Sequence, residues 1–192
     1  MSDEWRTFVA IELPPEIRDQ LHEHAARIRE AVPESSASWS RPENVHLTLK
    51  FFGNIPTKNL PVISGAASRV TKDNPWFQIK IGGTGVFPKA SRAQVLWIGV
   101  DDSSSRLSAL QQRLEEEFAS EGFAKEDRAY RPHLTIARIR KPEGARRLAE
   151  THLHTSFKQI QITVKELVVF RSELSPKGSR YTAISRHPLW AN

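Results

Sequence analysis

Two stretches decide the fold: HLTLKFFG at 46–53 and HLTIARIR at 133–140. Their histidines, His46 and His133, lie 133 − 46 = 87 residues apart in a chain of 192. Each stretch is β-prone, alternates polar with apolar positions at its start, and follows a proline, Pro42 or Pro132. A motif repeated at about half the chain length predicts two related lobes, each contributing one equivalent strand. Side chains alternate between the faces of a strand, so His46 shares a face with Thr48, and His133 with Thr135. Leu47, Leu49, Leu134 and Ile136 then point the other way, into a core.

Outward from these strands, TFVAIEL (7–13) reads as a buried strand stopped by Pro14-Pro15. Pro15 opens a helix, on which Ile17, Leu21, Ile28 and Val32 recur near helical spacing before Pro33. Residues 35–38 read as a loop, and 59–71 as a weaker helix. FQIKIGGTGVFPKASRAQVLWIGV (77–100) reads as three β pieces, with Gly82, Gly83, Gly85 and Pro88 making turns. Asp101, Asp102 and Ser103 offer a cap to a helix whose stripe is Leu107, Leu110, Leu114 and Phe118, with Gly122 as its stop. A short basic helix over 142–151 and two strands, near 157–171 and 181–186, complete the chain. Strands and helices do not alternate strictly, so the class is α+β rather than a doubly wound parallel sheet. The whole of 1–192 is expected to form a single bilobal domain. No G-x-x-x-x-G-K-[ST] or G-x-G-x-x-G motif lies between a strand and a helix; the glycines at 82–85 lead into another β piece.

Lys and Arg number 28 against 22 Asp and Glu, a net charge of +6 that suits an anionic ligand. Cysteine is absent, which excludes disulfide scaffolds, thiol nucleophiles and cysteine-ligated metal. The N-terminal apolar run is too short for a signal peptide, and no run reaches membrane-spanning length, so a cytoplasmic protein is expected.

If the two lobes face each other, two imidazoles and two hydroxyls meet in one cleft. Hydrolysis of a phosphodiester needs a base for the incoming oxygen and, on the opposite side, an acid for the leaving oxygen. Imidazole fills either role near neutral pH. Threonine hydroxyls can donate to the non-bridging oxygens, where charge gathers in the transition state. The other histidines lack such support. His22 and His24 diverge by about 200° on a helix and read as surface residues. His152 and His154 make a poor metal pair, and His187 has no evident partner. Lys50 shares the face of His46 by alternation, against a bland reading as a solvated lysine at the strand end. The five tryptophans read as core or rim packing, Trp39 being the best rim candidate.

These residues resemble the two-histidine phosphoesterase superfamily, and most of all its RNA 2′,3′-cyclic phosphodiesterases, the 2′-5′ RNA ligase family. The resemblance runs over RTFVAIELPPEI, WSRPENVHLTLKFFGNI, GGTGVFP with VLWIGV, YRPHLTIARIR and ELVVFRSELSPKGSRYTAI. It implies a bilobal, pseudo-twofold fold in which two antiparallel sheets flank a central cleft, with helices outside. It also implies hydrolysis of a 2′,3′-cyclic phosphate to a 2′-phosphomonoester without a metal or other cofactor. His46 would then donate a proton to the leaving 3′ oxygen, His133 would activate water, and Thr48 and Thr135 would hold the phosphate. Arg138 matches a basic position of the family, but its odd offset from His133 puts it on the wrong face unless the strand twists, bulges or ends first. Phe87 lies in a turn resembling a substrate-facing loop, where a base can stack; a buried turn aromatic is the other reading. Arg41 and Arg131 precede the motifs and are candidates to guide RNA phosphates. The expected partner is RNA with 2′,3′-cyclic phosphate ends, such as tRNA fragments or oligonucleotides, met by a monomer. Ligation through a 2′-5′ bond, hydrolysis of small cyclic nucleotides, and a non-catalytic RNA-binding module remain alternatives at this stage.

Overall fold

The computed structural model describes residues 3–176 and 178–191. Its strands are β1 (Glu4–Glu12), β2 (Ala37–Trp39), β3 (His46–Pro56), β4 (Phe77–Phe87), β5 (Val95–Asp101), β6 (His133–Ile139), β7 (Ile160–Val164), β8 (Glu166–Ser175) and β9 (Gly178–Pro188). Its α-helices are α1 (Pro15–Ala31), α2 (Leu60–Lys72), α3 (Arg106–Ser120) and α4 (Ala145–His154). One antiparallel sheet has the order β3-β1-β8-β9 and the other β2-β6-β5-β4-β7. This is the α+β class expected from the strand pattern, with the two antiparallel sheets that the resemblance implies.

The lobes are interlaced rather than built from successive halves of the chain. Helix α1 leaves β1 of the first sheet but packs on β6 and α4 at the second. Helix α3 leaves β5 of the second sheet but packs on β3 and α2 at the first. The two motif strands therefore each rest on a helix that begins in the other lobe. One apolar core runs beneath both, joining Leu47, Leu49, Leu134 and Ile136 with Val9, Leu96 and Leu114.

The helix signals hold. Leu107, Leu110, Leu114 and Phe118 are all buried. The Asp102 carboxylate accepts the Leu107 and Ser108 amides at 3.0 and 2.7 Å, satisfying donors that the first turn leaves open. Gly122, at φ +88°, closes the C-terminus: its amide and that of Phe123 reach the Ala119 and Phe118 carbonyls, each at 3.0 Å.

Three strand expectations need correction. The glycines at 82 and 83 do not turn the chain; they bulge one long strand, and the β4–β5 register slips between Ile81 and Thr84. The reversal falls at 88–94, beginning at the turn assigned to Pro88, and is closed by the Gln94 amide on the Phe87 carbonyl at 2.7 Å. The run near 157–171 is two strands in different sheets, because the chain crosses between them at Lys165. Residues 37–39, within and beside the presumed loop, form an edge strand against β6. Among the described residues no helix is long and apolar enough to cross a membrane.

Candidate active site

The pairing of β1 with β3 repeats in the pairing of β5 with β6. Phe8, Val9, Ala10, Ile11 and Glu12 face Phe51, Lys50, Thr48, Leu47 and His46. Val95, Leu96, Trp97, Ile98 and Gly99 face Arg138, Ala137, Thr135, Leu134 and His133. Every pair in the first set maps onto the second by the same 87-residue offset that separates the histidines. Both motif strands also carry an extra residue at the same place, since the register slips opposite Val9/Ala10 and opposite Leu96/Trp97. Such a bulge turns two consecutive side chains to one side and reverses the alternation after it.

The bulge decides two expected site residues. Leu49 and Lys50 are both buried, as are Ile136 and Ala137, and the next residues, Phe51 and Arg138, are exposed. Arg138 thus returns to the face of His133 despite its odd offset, and its charge acts on the His133 ring. Lys50 goes the other way, correcting both readings of it. It is 6 % exposed and donates to Glu115 Oε2 and to the Ala124 carbonyl, each at 2.6 Å. Glu115 also accepts the Glu126 amide at 3.2 Å. The pair therefore holds the loop that leads to β6.

Each motif histidine is anchored alike. His46 Nδ1 lies 2.9 Å from the Asn44 carbonyl, and His133 Nδ1 lies 2.7 Å from the Arg131 carbonyl. A carbonyl only accepts, so Nδ1 carries the proton and the neutral ring keeps its lone pair on Nε2. The His46 ring stacks on Phe8 at 4.6 Å and meets the edge of Tyr181 at 5.1 Å. The His133 ring meets Phe87 edge-on at 5.0 Å, and Phe87 in turn lies 5.1 Å from Trp97. Burial lowers the pKa of His46 to about 4, with the hydrogen bond to the Asn44 carbonyl opposing. Burial also lowers that of His133, the Arg131 carbonyl opposing and the Arg138 charge adding to the shift.

Thr48 and Thr135 are half-buried, on the histidine face opposite Ala10 and Trp97. Cross-links tie the two motifs together. Tyr130, three residues before His133, donates to the Thr48 carbonyl at 3.3 Å. Ser40, six residues before His46, donates its hydroxyl to Thr135 and its amide to Ile136, each at 2.9 Å. Phe87, the last residue of β4, lies against the His133 ring. Trp97, read as packing, shares that aromatic wall, and its ring lies over Gly85, where an added Cβ would come within 2.1 Å of it. A cavity of about 460 Å³ opens beside His46, and Arg41 is among its lining residues. Arg131 contributes its carbonyl to His133, and its side chain is exposed.

The other histidines are less bland than their spacing suggested. His22 and His154 are exposed, but His24 is fully buried. Its Nε2 lies 3.3 Å from Nδ1 of His152, whose Nε2 donates to the Trp97 carbonyl at 3.1 Å. His24 sits with Leu21, Ala25 and Ile28 on one helical stripe, a periodicity that marks it as buried. His187 bonds Ser68 and Ser185, each at 2.8 Å. Ser68 is brought to it from α2 by the fold, while Ser185 is its neighbour two residues back on β9. Among the described residues no group of three or more His, Asp or Glu gathers as metal ligands.

The description of the 2′-5′ RNA ligase superfamily matches residues 7–176. A Methanothermobacter thermautotrophicus protein named RNA 2′,3′-cyclic phosphodiesterase is 36 % identical over 182 residues, covering 92 % of this chain and 95 % of that protein. A Thermotoga maritima protein of the same name is 29 % identical, covering 93 % and 92 %. Among solved structures, a Thermus thermophilus protein superposes with a TM-score of 0.79 at 25 % identity, covering 96 % of this chain and 97 % of that one. Escherichia coli LigT, crystallised with 3′-AMP, shares the fold with a TM-score of 0.77 at 24 % identity, covering 97 % and 99 %.

Proposed function

The chain belongs to the 2′-5′ RNA ligase superfamily, and from that premise we propose that it is an RNA 2′,3′-cyclic phosphodiesterase working by paired imidazole acid–base catalysis. Water attacks phosphorus in line with the P–O3′ bond. His133 Nε2 takes the proton of the attacking water as the new P–O bond forms. The P–O3′ bond breaks on the other side, and His46, protonated on Nε2, gives its proton to O3′. The product is a 2′-phosphomonoester with a free 3′ hydroxyl. The Thr48 and Thr135 hydroxyls donate to the two non-bridging oxygens, and Arg138 adds positive charge where negative charge develops. Phe87 offers a ring face to a base. The two interlaced lobes act as one domain, and the imidazoles supply both proton transfers, so the proposal assigns no step to a metal.

His46 is held neutral in the free protein, because burial disfavours its charged form. An incoming phosphate anion opposes that effect and favours the imidazolium needed by the acid. Substrate thus helps to charge its own proton donor.

The observation that carries this reading is the matched anchoring of the two rings. Each histidine begins an equivalent strand, is locked through Nδ1 to a backbone carbonyl, and has Nε2 left for proton transfer. Purified protein given an oligoribonucleotide with a 2′,3′-cyclic phosphate end, in the presence of chelator, is expected to release 2′-phosphate ends. RNA binding without turnover, or turnover only with added metal, would overturn the proposal.

A further inference from the structure

The cavity of about 460 Å³ beside His46 is built from parts distant in sequence and is larger than proton transfer requires. That volume lies within the roughly 300–1,000 Å³ of pockets that enclose small ligands. Its charge is unbalanced: Arg18, Arg41, Arg180 and Arg186 line it, against Glu12 and Glu43. Arg186 is already engaged, at 2.9 Å from Glu12 and 2.5 Å from Glu166. Arg18, on α1, and Arg180, on β9, enter no ion pair among the described residues. Two guanidiniums that line one cavity and enter no ion pair among the described residues are suited to an anion. Tyr181, also in the lining, adds an aromatic ring that already touches His46.

The geometry of displacement says which part of the substrate faces this cavity. In a 2′,3′-cyclic phosphate the leaving O3′ belongs to the terminal ribose. In-line displacement puts that ribose on the side of the proton donor and the water on the side of the base. The RNA strand continues from the 5′ oxygen of the same ribose. With His46 as donor, the preceding nucleotide lies on the His46 side, where the cavity is.

We propose that this cavity is a subsite for the nucleotide preceding the cyclic end, with its phosphodiester held by Arg18 and Arg180 and its base or ribose against Tyr181. The inference rests on the phosphodiesterase reading with His46 as the acid. It makes the protein selective for the ends of oligonucleotides over cyclic mononucleotides.

The test compares kcat/KM on a 2′,3′-cyclic mononucleotide with that on di- and trinucleotides ending in a 2′,3′-cyclic phosphate. A rise of tenfold or more from mono- to dinucleotide is expected. R18A and R180A, with R18Q and R180Q as milder versions, should bring the dinucleotide value down towards the mononucleotide value and leave mononucleotide turnover unchanged. In parallel, binding of the 2′-phosphate-ended trinucleotide is titrated against salt. The slope of log K on log salt should fall in magnitude by about 0.7 for each arginine that contacts a phosphate. Equal kcat/KM at all lengths, or arginine variants that lower both substrates alike, would sink the subsite while the phosphodiesterase reading stands. Absence of turnover on every cyclic phosphate would remove that reading, and the subsite with it.

Discussion

His46 and His133 are held by the same device: Nδ1 of each is bonded to the carbonyl two residues upstream, Asn44 at 2.9 Å and Arg131 at 2.7 Å. The device fixes ring orientation and tautomer together, because the donor must be Nδ1 and the reactive atom is left as Nε2. It is set by each strand's own approach, so both lobes reproduce it.

Replacing either histidine removes one of two coupled proton transfers. H46A and H133A are each expected to lose about 10²–10⁴-fold in kcat. The double variant should be little worse than the singles, because the two groups act as a unit. Single-turnover rates on cyclic-phosphate-ended RNA, with circular dichroism to confirm folding, check this. A single variant within threefold of the parent would argue against the assignment.

The pH profile follows from the direction of the shifts. The His46 pKa lies near 4 in the free protein, and that of His133 lies below its ordinary 6.5. The profile of kcat/KM reports the free protein and should be bell-shaped, with both limbs below 6.5. A bound phosphate anion raises the His46 value, so the falling limb of kcat should move to higher pH than that of kcat/KM. Rates independent of pH between 5 and 8 would contradict the paired roles.

The buried His24–His152 pair makes stability acid-sensitive. Burial, the neighbouring ring and Arg27 lower the His24 pKa to about 4. The unfolded chain then binds protons that the folded chain refuses. The contribution is complete above pH 6.5 and is lost as pH falls from 6.5 through 4, by up to about 3 kcal/mol. Urea titrations at pH 7, 5.5 and 4.5 should show the decline. His24→Gln should make it shallower, although His152, His46, His133 and His187 shift in the same direction and keep part of it.

Breaking the Lys50–Glu115 pair leaves one charge buried alone. Lys50→Met should cost about 3–5 kcal/mol, and the double change with Glu115→Leu should recover much of it, since both desolvation penalties then vanish. Because Lys50 and Glu115 also hold Ala124 and Glu126, the single variant should lose activity below its melting transition as the approach to His133 loosens. Denaturant titrations paired with rates measured at low temperature test both halves. An unchanged transition midpoint would contradict the role given to the pair.

Gly85 is kept small by its neighbour. A Cβ there would lie 2.1 Å from the Trp97 ring, which would have to leave Phe87 and His133. Gly85→Ala is expected to cost about 1–3 kcal/mol by overpacking and to lower activity tenfold or more. Tryptophan fluorescence should report the displaced ring, and an unmoved spectrum with full activity would contradict the packing.

The α+β class, the strand positions of both motifs and the faces of His46, Thr48, His133 and Thr135 were legible in the sequence. Period-two alternation and an 87-residue repeat are properties of the chain alone. Only the tertiary structure decided where Lys50 and Arg138 point. A bulge is a property of two paired strands, and one extra residue in the register sends every later side chain to the other face. The same holds for His24 and His152, which meet across 128 residues because α1 and α4 are packed together on the second sheet. Local pattern specifies which way a strand begins to face; the partner across the ladder specifies which way it ends.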